Sequence, residues 1–134
     1  MLDNKGTVPY SDNYEESYLK QILTDVQTIA MVGASAKPAR DSYQTMLALL
    51  EAGYKVFPVN PFEAGNSILG QPCYAALTDV PHRIDMVDIF RSSDAALAIT
   101  EEAIAIGAQV VWMQLDVINL EARDKAVEVG LKVV

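Results

Sequence analysis

The stretch TIAMVGASAKPARDS, residues 28–42, decides how the chain folds. Its opening run, TIAMVG, is apolar without an intervening charge, the pattern of a strand buried on both faces rather than of a half-exposed strand, which would alternate. Gly33 ends the run, and Pro38 permits a helix to start, because proline's fixed φ and missing N–H are tolerated in a first turn. A buried strand, a glycine turn and a helix make the first half of a β-α-β unit.

The same order recurs on the C-terminal side. Residues 39–52 carry Met46, Leu47, Leu49 and Leu50 at helical spacing and stop at Gly53, which suits the residue that closes a helix. KVFPVN (55–60) is a second strand, followed by a loop holding Pro61, Gly65, Asn66, Gly70 and Pro72, with a helical turn expected within 73–78. DMVDIF (85–90) is a third strand, and SSDAALAITEEAIAIG is a helix that Ser92 or Ser93 would cap and Gly107 would close. QVVWMQL (109–115), a helix over 119–129 ending at Gly130, and LKVV (131–134) complete the pattern. On the N-terminal side, Asp12 is a candidate cap for an amphipathic helix with Tyr14, Tyr18 and Ile22 four residues apart and Leu19, Leu23 and Val26 beside them. Residues 1–11 read as a flexible arm, and residues 12–134 as one domain.

Strands alternating with helices, each strand nearly all apolar, define an α/β fold: a single Rossmann-like doubly wound domain, a five-stranded parallel sheet with helices on both faces. At 134 residues and 51% hydrophobic composition the chain has material for one core. The single Cys73 excludes an internal disulfide, and with one histidine there is no zinc-ligand spacing, so a reducing cytoplasm is expected. Ten basic against eighteen acidic residues, a net charge of -8, argue against a general nucleic-acid binder. No apolar run approaches a membrane span, and MLDNKGTVPYSD has no apolar core of a secretory signal.

Ligands of doubly wound sheets lie outside the carboxyl ends of the strands, so the residues following each strand are the candidates for function. After the first strand, Gly33 allows close backbone approach, Ser35 and Ser42 offer hydroxyls, and Lys37 and Arg40 add charge beside a helix N-terminus. This is an anion loop, or else a plain β–α turn with solvated cations. The second strand ends in Asn60 and Pro61 and the first turn holds one glycine, whereas a nicotinamide dinucleotide site has G-x-G-x-x-G and an acidic residue for the ribose. After the third strand, Phe90 offers a ring for an adenine and Arg91 a guanidinium for phosphate; the alternative makes Phe90 core and Arg91 a surface partner. After the fourth strand, residues 112–116 end toward the same crevice, with Trp112 read as core. Lys37, Arg40 and Arg91 thus gather on one edge of an acidic chain, which suits a polyphosphate ligand.

Taken together, V-G-A-S-x-K-P-x-R-x-S, G-Y-K-V-F-P-V-N-P, D-M-V-D-I-F-R and V-V-W-M-Q-L resemble the small stand-alone bacterial and archaeal CoA-binding proteins. Their single domain is similar to the N-terminal CoA-binding domain of the succinyl-CoA synthetase alpha subunit. The resemblance runs from about Tyr18 to Val134 and implies coenzyme A, free or as an acyl-CoA, as ligand. It also implies a site in which Gly33, Ala34, Ser35, Lys37, Arg40 and Ser42 surround the pyrophosphate, Asn60 and Pro61 line the nucleotide, and Phe90 and Arg91 close the adenine and phosphate side. Relatives carry Gly where this chain has Asp116, here read as a helix cap, and they run on past Val134 into a short M-D-R-C tail whose thiol chemistry is not carried over.

No catalytic apparatus is expected. His82 precedes the third strand and so lies at the other end of the sheet, no G-x-S-x-G elbow is present, and Cys73 reads as a small buried hydrophobe. Asp85 and Asp88 are expected to be solvated or hydrogen-bonded near strand ends, and Glu15, Glu16, Glu101 and Glu102 to form solvated faces. Two other readings stand beside a CoA-binding protein: a nicotinamide-nucleotide-dependent oxidoreductase, and an interaction module whose N-terminal tyrosine helix mediates association. The oligomeric state, a homodimer included, is not legible in the chain.

Overall fold

The computed structural model describes residues 16–114 and 117–134. Its centre is a five-stranded, wholly parallel sheet in the order β2-β1-β5-β6-β7. The strands are β1 (Thr28–Val32), β2 (Lys55–Val59), β5 (Met86–Ile89), β6 (Val110–Met113) and β7 (Lys132–Val133). All four residues of β5 are buried, as are the last four of β1, so both faces of the sheet are covered and the continuous apolar runs have their physical cause.

The pleat divides the core. Ala30 and Val32 of β1, Val87 and Ile89 of β5 and Val111 and Met113 of β6 face α3 (Ser93–Ala105) and α4 (Leu120–Glu128) through Ala96, Ile99, Ala103, Ala122 and Ala126. On the opposite face, Ile29, Met86 and Val110 meet Ile22 and Val26, at and just after α1 (Glu16–Asp25). Met31 and Val56 meet Met46 of α2 (Asp41–Glu51) there. Small alanines on α3 and α4 let these helices lie close to the sheet. Among the described residues no helix is long and apolar enough to cross a membrane.

The connection from β2 to β5 differs from its expected form. It holds a short antiparallel hairpin, β3 (Ser67–Ile68) with β4 (Gln71–Pro72), and its helical turn is a single 3-10 turn at Leu77–Asp79, later than expected. Tyr74 runs beside the edge strand β2: its N–H donates to Pro58 O, and its carbonyl accepts from Asn60 N. Proline in β2 is tolerated because it lies on an edge.

One expected cap also changes. Ser92 occupies the N-cap position of α3 without a side-chain cap bond, and Ser93 Oγ instead accepts from Ile118 N at 2.9 Å. At α4 the cap is Asn119, whose Oδ1 accepts from Ala122 N at 2.9 Å. The candidate caps Asp12 and Asp116, together with Tyr14 and Glu15, lie outside the described residues.

Candidate functional site

Strand order reverses at β1, which is followed by α2 and β2 on one side and neighbours β5 on the other. The carboxyl ends of β1 and β5 therefore flank the crevice typical of doubly wound sheets. Gly33 is the first residue beyond β1; its N–H donates to Val59 O at 2.9 Å and its φ is +93°. A Cβ at this position would lie 2.7 Å from Phe90 O and 3.0 Å from Arg91 Cδ. Glycine is required twice over, by the left-handed backbone and by the contact between the loops that follow β1 and β5.

Beyond Gly33 the chain is held locally. Ala34 is fully buried and its carbonyl accepts from Asn60 Nδ2 at 2.8 Å. Lys37 N donates to Ser35 Oγ at 3.1 Å, Arg40 N donates to Lys37 O at 3.0 Å, and Gln44 Nε2 donates back to Pro38 O at 2.7 Å. Arg40 stands in extended conformation at the N-cap of α2 and makes no side-chain cap bond. The first N–H groups of α2, with their partial positive charge, therefore end at the crevice without a capping side chain.

Lys37, Arg40 and Arg91 are all exposed. Among the described residues none of the three has a carboxylate within ion-pair distance, although four other cations do: Lys20 with Glu16, Arg83 with Asp85, Arg123 with Asp124, and Lys125 with Glu101. A cleft of about 360 Å³ opens beside Arg91, lined by Asp41, Gln44, Thr45, Phe90, Arg91, Gln114 and Val117.

Under the cleft, Gln114 Nε2 donates to Asp88 Oδ1. Asp88 is 2% exposed. Burial pushes its carboxyl up to about 7, against the opposing pull of the Gln114 amide. It is thus hydrogen-bonded as expected, but inside the sheet rather than at a solvated end. Asp85 behaves differently. Burial alone would raise it, but the N–H groups of Gln27 and Thr28, the Thr28 hydroxyl and Arg83 hold it below the usual carboxylate range.

The other candidate residues fall in distinct places. Ser42 is buried at 5% exposure in the first turn of α2. Asn60 spends its side chain on the protein, donating to Ala34 O and accepting from Phe62 N at 2.9 Å, while Pro61 is exposed. Phe90 is half-buried against the cluster of Met31 and Met46. Cys73 is buried, and burial pushes its thiol up, with Glu63 adding to the rise and a hydrogen bond with the Asn60 backbone opposing it. His82 is exposed and stacks on Phe57 with ring centroids 4.8 Å apart. Among the described residues no group of three His, Cys, Asp or Glu side chains could hold a metal. Sequence reasoning passed over Gln44, Thr45 and Phe62. Helical phase could have placed the first two beside Asp41 at the mouth of α2, and a bulky apolar residue in a Pro- and Gly-rich loop was the signal for the third.

A doubly wound sheet with a glycine turn, an uncapped helix N-terminus and, among the described residues, cations without carboxylate partners at its switch point has the make-up of phosphate-ligand binding domains. Residues 27–134 match the model of a CoA binding domain, and the chain belongs to that family. It is 34% identical over 122 residues to the uncharacterized protein YneT of Bacillus subtilis, covering 91% of this chain and 89% of that one. It is also 32% identical over 95 residues to the alpha subunit of an ADP-forming acetate–CoA ligase of Pyrococcus furiosus, which covers 68% of this chain but only 21% of that subunit. Among solved structures, a hypothetical protein from Pyrococcus horikoshii superposes with a TM-score of 0.87 at 41% identity, covering 100% of this chain and 90% of that one. A dinucleotide-forming acetyl-coenzyme A synthetase of Candidatus Korarchaeum cryptofilum superposes at 0.66 with 29% identity, covering 81% of this chain and 25% of that one.

Proposed function

We propose that the chain binds coenzyme A, free or acylated, across the carboxyl ends of its strands, and that it performs no reaction of its own. One observation carries this reading: three cations that, among the described residues, have no carboxylate partner stand where the uncapped N-terminus of α2 ends, on a chain of net charge -8. Coenzyme A presents a pyrophosphate and a 3′-phosphate, the chemistry that such a set neutralises. In this reading Gly33, Ala34, Ser35, Lys37 and Arg40 surround the pyrophosphate, with Ser42 beneath them. Asn60 and Pro61 border the nucleotide, and Phe90 and Arg91 form the wall shared with the cleft.

The nicotinamide alternative is disfavoured by Asn60, whose side chain stands in place of the ribose-binding acid and is already engaged on both sides. The test is calorimetric titration with coenzyme A, NAD and ATP in parallel. Selective coenzyme A binding is expected, with Arg40→Ala and Arg91→Ala each weakening it by about ten-fold, the loss typical of a charge-assisted hydrogen bond. Wild-type protein that ignores coenzyme A, or variants that bind it unchanged, would overturn the reading.

A further inference from the structure

We propose that Phe62 is the stacking platform for the purine ring of the bound nucleotide, which fixes the direction in which the ligand lies across the sheet; this rests on the coenzyme A reading. Phe62 is 92% exposed, so its ring contributes almost nothing to the core. Its backbone is nevertheless fixed. Its N–H donates to Asn60 Oδ1 at 2.9 Å, and the same amide donates through Nδ2 to Ala34 O at 2.8 Å, so one side chain ties the aromatic to the phosphate loop. The rest of the segment is braced by Glu63 N to Asn60 O, Asn66 N to Glu63 O and Cys73 N to Asn66 O. An exposed ring on a held backbone suits a flat partner.

Topology supplies the direction. The strand ends run β2, β1, β5, β6, and at about 4.8 Å per strand they span roughly 14 Å. The phosphate loop follows β1, Phe62 lies three residues past β2, and the cleft lies beyond β5 and β6. A ligand whose pyrophosphate sits at the loop thus has one end over Phe62 and the other in the cleft. Gln44, Thr45 and Gln114 give the cleft the hydrogen-bonding character that an amide-bearing pantetheine arm needs, whereas the aromatic suits the purine. Phe90, the aromatic that follows β5, is packed against the Met31–Met46 cluster.

The experiment is calorimetry of wild type, Phe62→Ala and Phe62→Trp with coenzyme A and with 4′-phosphopantetheine, which lacks the adenosine. Base–aromatic stacking is worth about 1–3 kcal/mol, so Phe62→Ala should bind coenzyme A at least about five-fold more weakly. It should bind 4′-phosphopantetheine as wild type does, and Phe62→Trp should restore coenzyme A affinity. Wild type that binds coenzyme A while Phe62→Ala binds it equally well overturns the platform alone, as does an equal loss for both ligands. A change in oligomeric mass without a change in affinity would instead make Phe62 a protein contact and likewise overturn it. Wild type that fails to bind coenzyme A overturns both readings.

Discussion

Asp88 occupies the middle of the sheet, in register with Met31 on β1 and Trp112 on β6. With its carboxyl pushed up to about 7 from an ordinary 3.8, the folded state holds a proton that the unfolded chain releases. Between these values the native state binds more protons, so this residue makes stability fall as pH rises, and the loss is complete above about pH 7. Asp88→Asn removes the titration and keeps an oxygen for Gln114. The variant and wild type should be close in stability near pH 4. By pH 7.5 the variant should lead by up to roughly 4 kcal/mol, at 1.36 kcal/mol per pH unit; urea unfolding at several pH values checks this, and a constant difference would show that Asp88 is not protonated in the fold. Gly33 is the opposite case, a residue defined by what cannot be added. Gly33→Ala forces a side chain into left-handed backbone and against the Phe90 carbonyl, and a loss of roughly 2–5 kcal/mol is expected from strain and overpacking together. Denaturant unfolding measures the loss, and a stability equal to wild type would mean that the two loops part easily.

At the scale of elements, the five strands were legible because burial leaves nearly continuous apolar runs, broken within a strand only by Asp88 and opened by Lys55 and Lys132 at the exposed starts of β2 and β7, and the helices between them because Gly53, Gly107 and Gly130 mark their ends. The hairpin of β3 and β4 was not. Two-residue strands have no periodicity to read, and its turn places Leu69 at φ +50° and Gly70 at φ +80°, a pair that lacks the Asn-Gly signature of such turns. The helix caps misled for a related reason. Ser92 and Ser93 have the right side chains, but Ser93 is drawn into a bond with the segment before α4, a contact 25 residues away that no local pattern contains. The strand-end positions of the candidate site were legible from topology alone, since order and direction carry Gly33, Asn60 and Phe90 to one edge. What those side chains face was not. The burial of Ser42 follows from how α2 seats Met46 on the sheet, and the engagement of Asn60 follows from the path of the next loop.

The family match begins at residue 27, yet the molecule's second core layer depends on the helix before it. Ile22 is 1% and Val26 2% exposed, and they cover Ile29, Met86 and Val110; Tyr18 Oη donates to Val133 O at 3.0 Å, and Tyr54 Oη donates to Leu23 O. The N-terminal helix thus ties β7 at one end of the sheet and the segment before β2 at the other. Fully burying side chains of this size contributes about 1.5–3 kcal/mol each, so Ile22 and Val26 together supply roughly 3–6 kcal/mol of a total that in domains like this is about 5–15 kcal/mol. Removing residues 1–26 is therefore not a neutral way to ask whether the tyrosine helix mediates association, because it strips the core and exposes apolar sheet that would itself associate. Ile22→Ala is the sharper probe. It should cost about 2–5 kcal/mol in denaturant unfolding, and it should leave coenzyme A binding at saturating folded protein unchanged, because the helix packs on the sheet away from the strand-end loops. A loss below 1 kcal/mol would mean that α1 docks without supporting the sheet, and the association reading of that helix would regain its footing.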